Sequence, residues 1–152
     1  MAKEIERKFL VDASHPQFQA LMTGPYTQIH QGYLASTDKG VVRIRTADDE
    51  AFITVKGVKT GITCDEFEYP IPLNDARLML RTLCDKVLSK RRFLFPIGSG
   101  LVIEVDVFDQ IDLILAEIEL PSVDRAFVRP AWLVAEVSHD PAYFNNNIIA
   151  RI

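Results

Sequence analysis

Pairs of like charges separated by one residue recur along the chain. These residues are the main candidates for binding a charged ligand or for catalysis. The acidic pairs are Glu4 with Glu6, Glu66 with Glu68, Glu104 with Asp106, and Glu117 with Glu119. The basic pairs are Arg43 with Arg45, and Lys90 with Arg92. Two residues spaced in this way share one face of a β-strand, where like charges repel each other. Such repulsion is tolerated where a ligand of the opposite sign binds between the charges.

The two signs of charge suit two parts of one ligand. Carboxylates bind hard divalent cations such as Mg²⁺ or Mn²⁺ through their oxygens. Arginine and lysine bind phosphate oxygens, and arginine can do so through two parallel hydrogen bonds. A ligand that needs both is a polyphosphate with a bound metal ion. Any one acidic pair, taken alone, is more often the solvated face of a half-buried sheet, so the inference depends on the whole set.

Alternation of charged with apolar residues predicts that β-strands position these charges. Candidate strands cover residues 4–11, 29–34, 41–46, 52–56, 64–71, 90–95, 103–107, 116–120 and 133–138. Three helices are predicted: one after Ser14, one capped by Asn74 or Asp75, and a short one from Asp140. The order contains no regular βαβ unit, which indicates an α+β fold. We expect about eight strands to close into an antiparallel β-barrel that forms a charged tunnel, with the helices packed outside.

The composition is that of one ordinary globular domain, which we assign to residues 1–152. Apolar residues make up 48% and charged residues 25% of the chain, and no apolar run has the length of a membrane span. The net charge of −4 gives no general attraction to nucleic acid or to an anionic membrane, so neither is expected as a partner. The chain has two cysteines without metal-ligand spacing, which favours the reducing cytoplasm.

In their order along the chain, these motifs resemble the CYTH superfamily, also called the triphosphate tunnel metalloenzymes. The family hallmark, Glu-x-Glu-x-Lys, is matched by residues 4–8. Further matches are Gln31-Gly32-Tyr33-Leu34, Val42-Arg43-Ile44-Arg45, Thr54-Val55-Lys56-Gly57, Lys90-Arg91-Arg92, Glu104-Val105-Asp106-Val107-Phe108, Ala116-Glu117-Ile118-Glu119-Leu120 and Ala135-Glu136-Val137. The resemblance covers nearly the whole chain, whose length is similar to that of the short bacterial members.

The resemblance implies a metal-dependent triphosphatase, with inorganic triphosphate as the first expected substrate and Mg²⁺ or Mn²⁺ as the cofactor. The metal ligands that it implies are Glu4, Glu6, Glu104, Asp106, Glu117 and Glu119. The substrate-binding residues that it implies are Lys8, Arg43, Arg45, Lys56, Lys90 and Arg92. Lys56 and Tyr33 are the implied catalytic residues, which would orient or activate the attacking water.

Two other functions stay open from the sequence. One is a different family reaction, either the adenylyl cyclase reaction or hydrolysis of a nucleotide or of thiamine triphosphate. The cyclase ranks lower because we find no insertion that could read a base. The other is a non-catalytic module that binds polyphosphate or nucleotide, which is favoured by Cys64 and Ala142, since short bacterial relatives usually carry arginine at the first position and often at the second. The expected partner is a small anionic triphosphate, and a homodimer is a further expectation.

Overall fold

Nine strands make up most of the fold in the computed structural model, which describes residues 3–152. The strands are β1 (Lys3–Val11), β2 (Thr27–Thr37), β3 (Gly40–Ala47), β4 (Glu50–Gly57), β5 (Thr63–Pro70), β6 (Leu88–Gly98), β7 (Leu101–Phe108), β8 (Ile114–Glu119) and β9 (Leu133–Glu136). All of their pairings are antiparallel. Each predicted strand is present, and most run one to three residues beyond the predicted ends.

Helices are few and short. They are α1 (Pro16–Leu21), α2 (Leu73–Thr82) and α3 (Asn145–Ile148), with 3₁₀ turns at Pro141–Tyr143 and Ile149–Arg151. The cap predicted for α2 is wrong: the helix begins at Leu73 after Pro72, and no side chain caps it. The ring of Pro72 fixes its φ angle, and the chain enters the first helical turn although no side chain accepts a hydrogen bond there. No helix within residues 3–152 has the length and hydropathy needed to cross a membrane.

Strand β1 closes the sheet into a ring because it pairs with two different neighbours. Near its start Glu4 lies opposite Cys64 of β5, and further along Glu6 lies opposite Glu119 of β8. The remaining neighbours follow in the order β5, β4, β3, β2, β6, β7, β8, so β1 to β8 form the ring and β9 extends it beside the end of β1. The predicted closed antiparallel sheet, with helices outside it, is confirmed.

The apolar side chains lie on the outer face of this ring. One cluster gathers Phe9, Phe93 and Ile118 around Trp132 and Phe18 of α1. A second places Ala76 and Leu80 of α2 against Ile44 and Ala51, because residues four apart share one face of a helix. A third forms where Ile148 of the C-terminal segment meets Leu88, Phe108 and Leu115. With the apolar faces covered from outside, strand alternation leaves the charged faces pointing into the ring.

Candidate active site

All eight strands of the ring contribute side chains to one central cavity of about 520 Å³. Most of the predicted site residues line it: Glu4, Glu6, Lys8, Tyr33, Arg43, Arg45, Lys56, Arg92, Glu104, Glu117 and Glu119. Two predicted residues, Lys90 and Asp106, are not part of this lining. We call this cavity the tunnel.

The tunnel wall is divided into two halves of opposite charge. The acidic pairs lie on β7, β8, β1 and β5, which are consecutive around the ring. The arginines and lysines lie mostly on β6, β3 and β4, and β2 completes that half with the uncharged Tyr33. Lys8 is the exception, since it extends from β1 and lies 3.6 Å from Glu117. We call the two halves the acidic wall and the basic wall.

Three carboxylates from three strands converge in the acidic wall. Glu4 of β1, Glu66 of β5 and Glu119 of β8 each place one oxygen so that these oxygens lie within 4.8 Å of one another. Glu66 was not among the metal ligands predicted from the sequence. The sequence pattern placed Glu66 on the same strand face as Cys64 and Glu68, but only the pairing of β1 with β5 brings it beside Glu4.

These carboxylates repel one another, and their pKa values reflect this. Partial burial and the carboxylates of Glu4 and Glu104 raise the pKa of Glu119 to about 7. Burial, together with Glu117 and Glu4, raises the pKa of Glu6 well above its ordinary value. Glu4 differs: burial opposes its ionisation, but Lys56, 2.8 Å away, lowers its pKa to about 2. A bound cation would relieve the repulsion that remains.

The donor set fits a hard divalent cation. It consists of carboxylate oxygens alone, which is the chemistry that Mg²⁺ and Mn²⁺ require. Glu117 lies beside this donor set: its side chain is 5% exposed, and its Oε1 atom accepts no hydrogen bond from residues 3–152 but lies 3.6 Å from Lys8 Nζ. A cation in the tunnel could use this oxygen as a further ligand.

The arginines of the basic wall are held by hydrogen bonds to side chains of nearby strands. Arg43 donates from Nη2 to Thr54 (3.2 Å) and to Glu68 (3.4 Å), while its buried Nε has no acceptor within the described chain. Arg92 binds Glu104 at 2.9 Å and Asp106 at 2.7 Å. Both guanidinium groups line the tunnel and have more N–H donors than these contacts use, which suits them to phosphate.

Lys90 and Asp106 form an ion pair behind the tunnel surface. Lys90 Nζ lies 2.7 Å from Asp106 Oδ2, and both side chains are 0% exposed. Burial opposes ionisation of Asp106, but Arg92 and Lys90 lower its pKa to about 2. The pair therefore supports the wall from within, and the roles predicted for these residues as ligands stay predictions.

The two predicted catalytic residues differ in their surroundings. Lys56 is bound to Glu4 and, at 3.3 Å, to Glu66. Burial lowers the pKa of Lys56, but Glu4 and Glu6 outweigh it, and the pKa lies above its ordinary value. Lys56 is therefore a cation at neutral pH and can orient a ligand, but it cannot accept a proton. Tyr33 lies opposite Arg43 across the β2–β3 pairing and faces the tunnel.

The C-terminal segment contributes residues that sequence reasoning did not assign to the site. Phe144, Asn145 and Asn146 line the tunnel. Lys8 Nζ donates to the Tyr143 carbonyl at 2.8 Å, and the Phe144 ring lies 4.8 Å from Lys59 Nζ. The segment is thus attached to the ring by Lys8 of β1 and by Lys59 of the β4–β5 loop.

Comparison with known proteins agrees with this geometry. A sequence model of the CYTH domain matches residues 2–152. The chain is 40% identical over 152 residues to an inorganic triphosphatase of Acetivibrio thermocellus, covering 98% of this chain and 94% of that one. It is 33% identical over 154 residues to an inorganic triphosphatase of Nitrosomonas europaea, covering 98% of each. A crystal structure of an inorganic triphosphatase superposes with a TM-score of 0.67 at 31% identity, covering 100% of this chain and 97% of that one.

Proposed function

Because the chain belongs to the CYTH domain family, we propose that it hydrolyses inorganic triphosphate in the tunnel with the help of a divalent cation. One observation carries the proposal: a triad of carboxylate oxygens within 4.8 Å of one another shares a single cavity with guanidinium and ammonium groups. A metal-bound triphosphate offers both kinds of charge. The two relatives named inorganic triphosphatase, each matched over nearly its full length, support the same substrate.

We assign the cation, Mg²⁺ or Mn²⁺, to Glu4, Glu66 and Glu119, with Glu6 and Glu117 beside them. Oxygen ligands of this kind suit both ions. When bound, the cation neutralises negative charge on the phosphates and makes the attacked phosphorus more electrophilic.

The protein's own side chains supply the remaining parts of the reaction. Arg43, Arg45 and Arg92 bind non-bridging oxygens and stabilise the charge that develops on the transferring phosphoryl group and on the departing diphosphate. Lys56, protonated and fixed by two carboxylates, donates a hydrogen bond that orients either the phosphate or the attacking water. Tyr33 lies on β2, in the same wall as Lys56, and can hold that water through its hydroxyl.

The side chains that line the tunnel suit a phosphate rather than a nucleobase. The lining of the described chain is dominated by charged groups. The ring of Phe144 already lies against the ammonium groups of Lys59 and Lys8, which are 4.8 and 5.8 Å from its centroid. It is therefore not free to stack on a base. We therefore expect inorganic triphosphate to be cleaved faster than ATP, GTP or thiamine triphosphate.

A phosphate-release assay with these four substrates, in Mg²⁺ and in Mn²⁺, tests the proposal. Inorganic triphosphate should give the highest kcat/KM. ATP turnover at the same or a higher rate, or cyclic AMP as the product, would contradict the assignment. Thermal stabilisation by triphosphate without phosphate release would instead identify a binding module. We place the activity in the cytoplasm, because both cysteines are free thiols, and the homodimer stays a prediction.

A further inference from the structure

Arg45 differs from the other cations predicted for the site in lacking a carboxylate partner among residues 3–152. Within residues 3–152, each of the other predicted cations has a carboxylate oxygen no more than 4.0 Å away. These pairs are Lys8–Glu117, Arg43–Glu68, Lys56–Glu4, Lys90–Asp106 and Arg92–Asp106. No such contact to Arg45 occurs in that part of the chain.

A neutral residue holds Arg45 instead. Gln31 lies opposite Arg45 across the β2–β3 pairing, and its side chain is completely buried. Its Oε1 atom accepts two hydrogen bonds from Arg45, from Nε at 2.9 Å and from Nη2 at 2.7 Å. The orientation of the amide is fixed, because the flipped amide would place its own N–H donors against those of the guanidinium.

This arrangement orients the guanidinium without neutralising it. Burial and the neighbouring cations Arg43 and Arg92 lower the pKa of Arg45 to about 10, against a smaller opposing effect of Asp106. Arg45 therefore remains protonated at neutral pH, and no carboxylate oxygen of residues 3–152 lies within 4.0 Å of its nitrogens. The guanidinium has further N–H donors besides the two that Gln31 accepts, and Arg45 lines the tunnel.

We infer that Gln31 is a positioning residue, which fixes the Arg45 guanidinium for a phosphate group of the substrate while leaving its positive charge available. The inference rests on the proposed function. This positioning role explains why residue 31 is an amide rather than a carboxylate. A glutamate would make the same two hydrogen bonds but would form an ion pair, and a phosphate would then have to compete with it.

The variant Gln31→Glu separates orientation from charge, because it preserves shape and adds one negative charge. Triphosphate binding, measured by calorimetry in metal-free buffer, should weaken about tenfold or more, as expected for loss of a charge-assisted contact. KM should rise more than kcat falls, and the unfolding temperature should not decrease. As a matched control, Gln17→Glu adds the same charge at an exposed position of α1 and should leave binding and turnover unchanged.

A second variant keeps the inference testable if Gln31→Glu does not fold. Gln31→Leu removes the acceptor and should weaken triphosphate binding in the wild-type background, but not further in an Arg45→Gln background. Wild-type affinity in folded Gln31→Glu, or an equal loss from Gln31→Leu with and without Arg45, would overturn the inference. Wild-type protein that binds triphosphate without cleaving it would contradict the proposed function, and the affinity comparison would still decide the role of Gln31.

Discussion

Glu66 is the side chain that most clearly distinguishes the metal site in the structure from the one predicted from the sequence. Burial and the neighbouring Glu4 raise the pKa of Glu66, which indicates a carboxylate held close to another negative charge. In the variant Glu66→Gln the shape is kept and one ligand charge is removed. We expect Mn²⁺ to raise its unfolding temperature much less than it does for the wild type, because stabilisation follows metal affinity for the native state.

The matched control for Glu66→Gln is Asp65→Asn, one position earlier on β5. Asp65 forms an ion pair with Lys3 on the other face of the strand, and its side chain is 43% exposed. Exposed ion pairs contribute little to stability, so the control should respond to Mn²⁺ like the wild type. Paired thermal melts in EDTA and in Mn²⁺ measure both variants. Equal metal responses in Glu66→Gln and the wild type would remove Glu66 from the site.

Which residues face the tunnel could be predicted strand by strand, because side chains alternate across a strand. That parity placed Glu4, Glu6, Arg43 and Arg45 correctly. What could not be predicted is which strands become neighbours, since the pairing of β1 with β5 joins residues about sixty positions apart in the sequence. The metal set implied by the resemblance did not contain Glu66, and strand parity alone could not add it.

The sequence pattern also could not predict which side chains on the inner strand face reach the tunnel. Lys90 shares its strand face with Arg92, yet Lys90 pairs with Asp106 and does not line the tunnel, whereas Arg92 does. Parity fixes the face of a strand but not whether a side chain on that face reaches the cavity, and Lys90 Nζ instead donates to Asp106 and, at 3.2 Å, to Asn145 Oδ1.

A core substitution in helix α2 should change the stability of the protein without changing its activity, because the core and the site lie on opposite faces of the strands. Leu80 of this helix is 6% exposed and packs against the strands that carry the basic wall. Leu80→Ala should lower the free energy of unfolding by about 2–4 kcal/mol, from lost burial and a residual cavity. Because the tunnel side chains lie on the other strand face, kcat at a temperature well below unfolding should stay within about twofold of the wild type.

Urea denaturation and steady-state kinetics measure the two effects. The control is Leu78→Ala on the same helix, whose side chain is 50% exposed, and it should cost less than about 1 kcal/mol. A large loss of kcat in Leu80→Ala without a loss of stability would show that α2 acts on the site directly.

The ring encloses a cluster of ionisable groups in its tunnel, while its outer apolar faces form the core, and the enclosed groups should determine how stability depends on pH. A carboxyl whose pKa is raised by folding favours the folded state at low pH, and that contribution is lost as the pH rises. Glu6, whose pKa is raised well above the ordinary 4.5, and Glu119, with a pKa of about 7, are of this kind. Glu4 and Asp106, each with a pKa of about 2, act in the opposite sense and lose their contribution as the pH falls below 4.

We therefore expect the metal-free protein to have its highest unfolding temperature near pH 4.5 and to become less stable as the pH rises to about 7, above which Lys90, whose pKa burial lowers to about 7, acts in the opposite sense. Glu6→Gln should remove part of the loss at about pH 7, because glutamine cannot ionise there. Mn²⁺ should stabilise the wild type more at pH 8 than at pH 5, since protons compete for the same oxygens. Unfolding temperatures measured from pH 4 to 9 in EDTA would contradict this picture if they rose steadily from about pH 4.5 to 7.

The central claim is that the acidic wall holds a cation whose charge acts together with the basic wall on a triphosphate. Its most direct test is the release of orthophosphate from inorganic triphosphate as Mn²⁺ is titrated into EDTA-treated wild type and Glu119→Gln. The wild type should be inactive without the cation and reach a saturating rate with it. The variant should need more Mn²⁺ and turn over about a hundredfold more slowly, as expected when several kcal/mol of transition-state stabilisation depend on the ion. Equal rates in EDTA and in Mn²⁺, or identical titrations for both proteins, would contradict the claim.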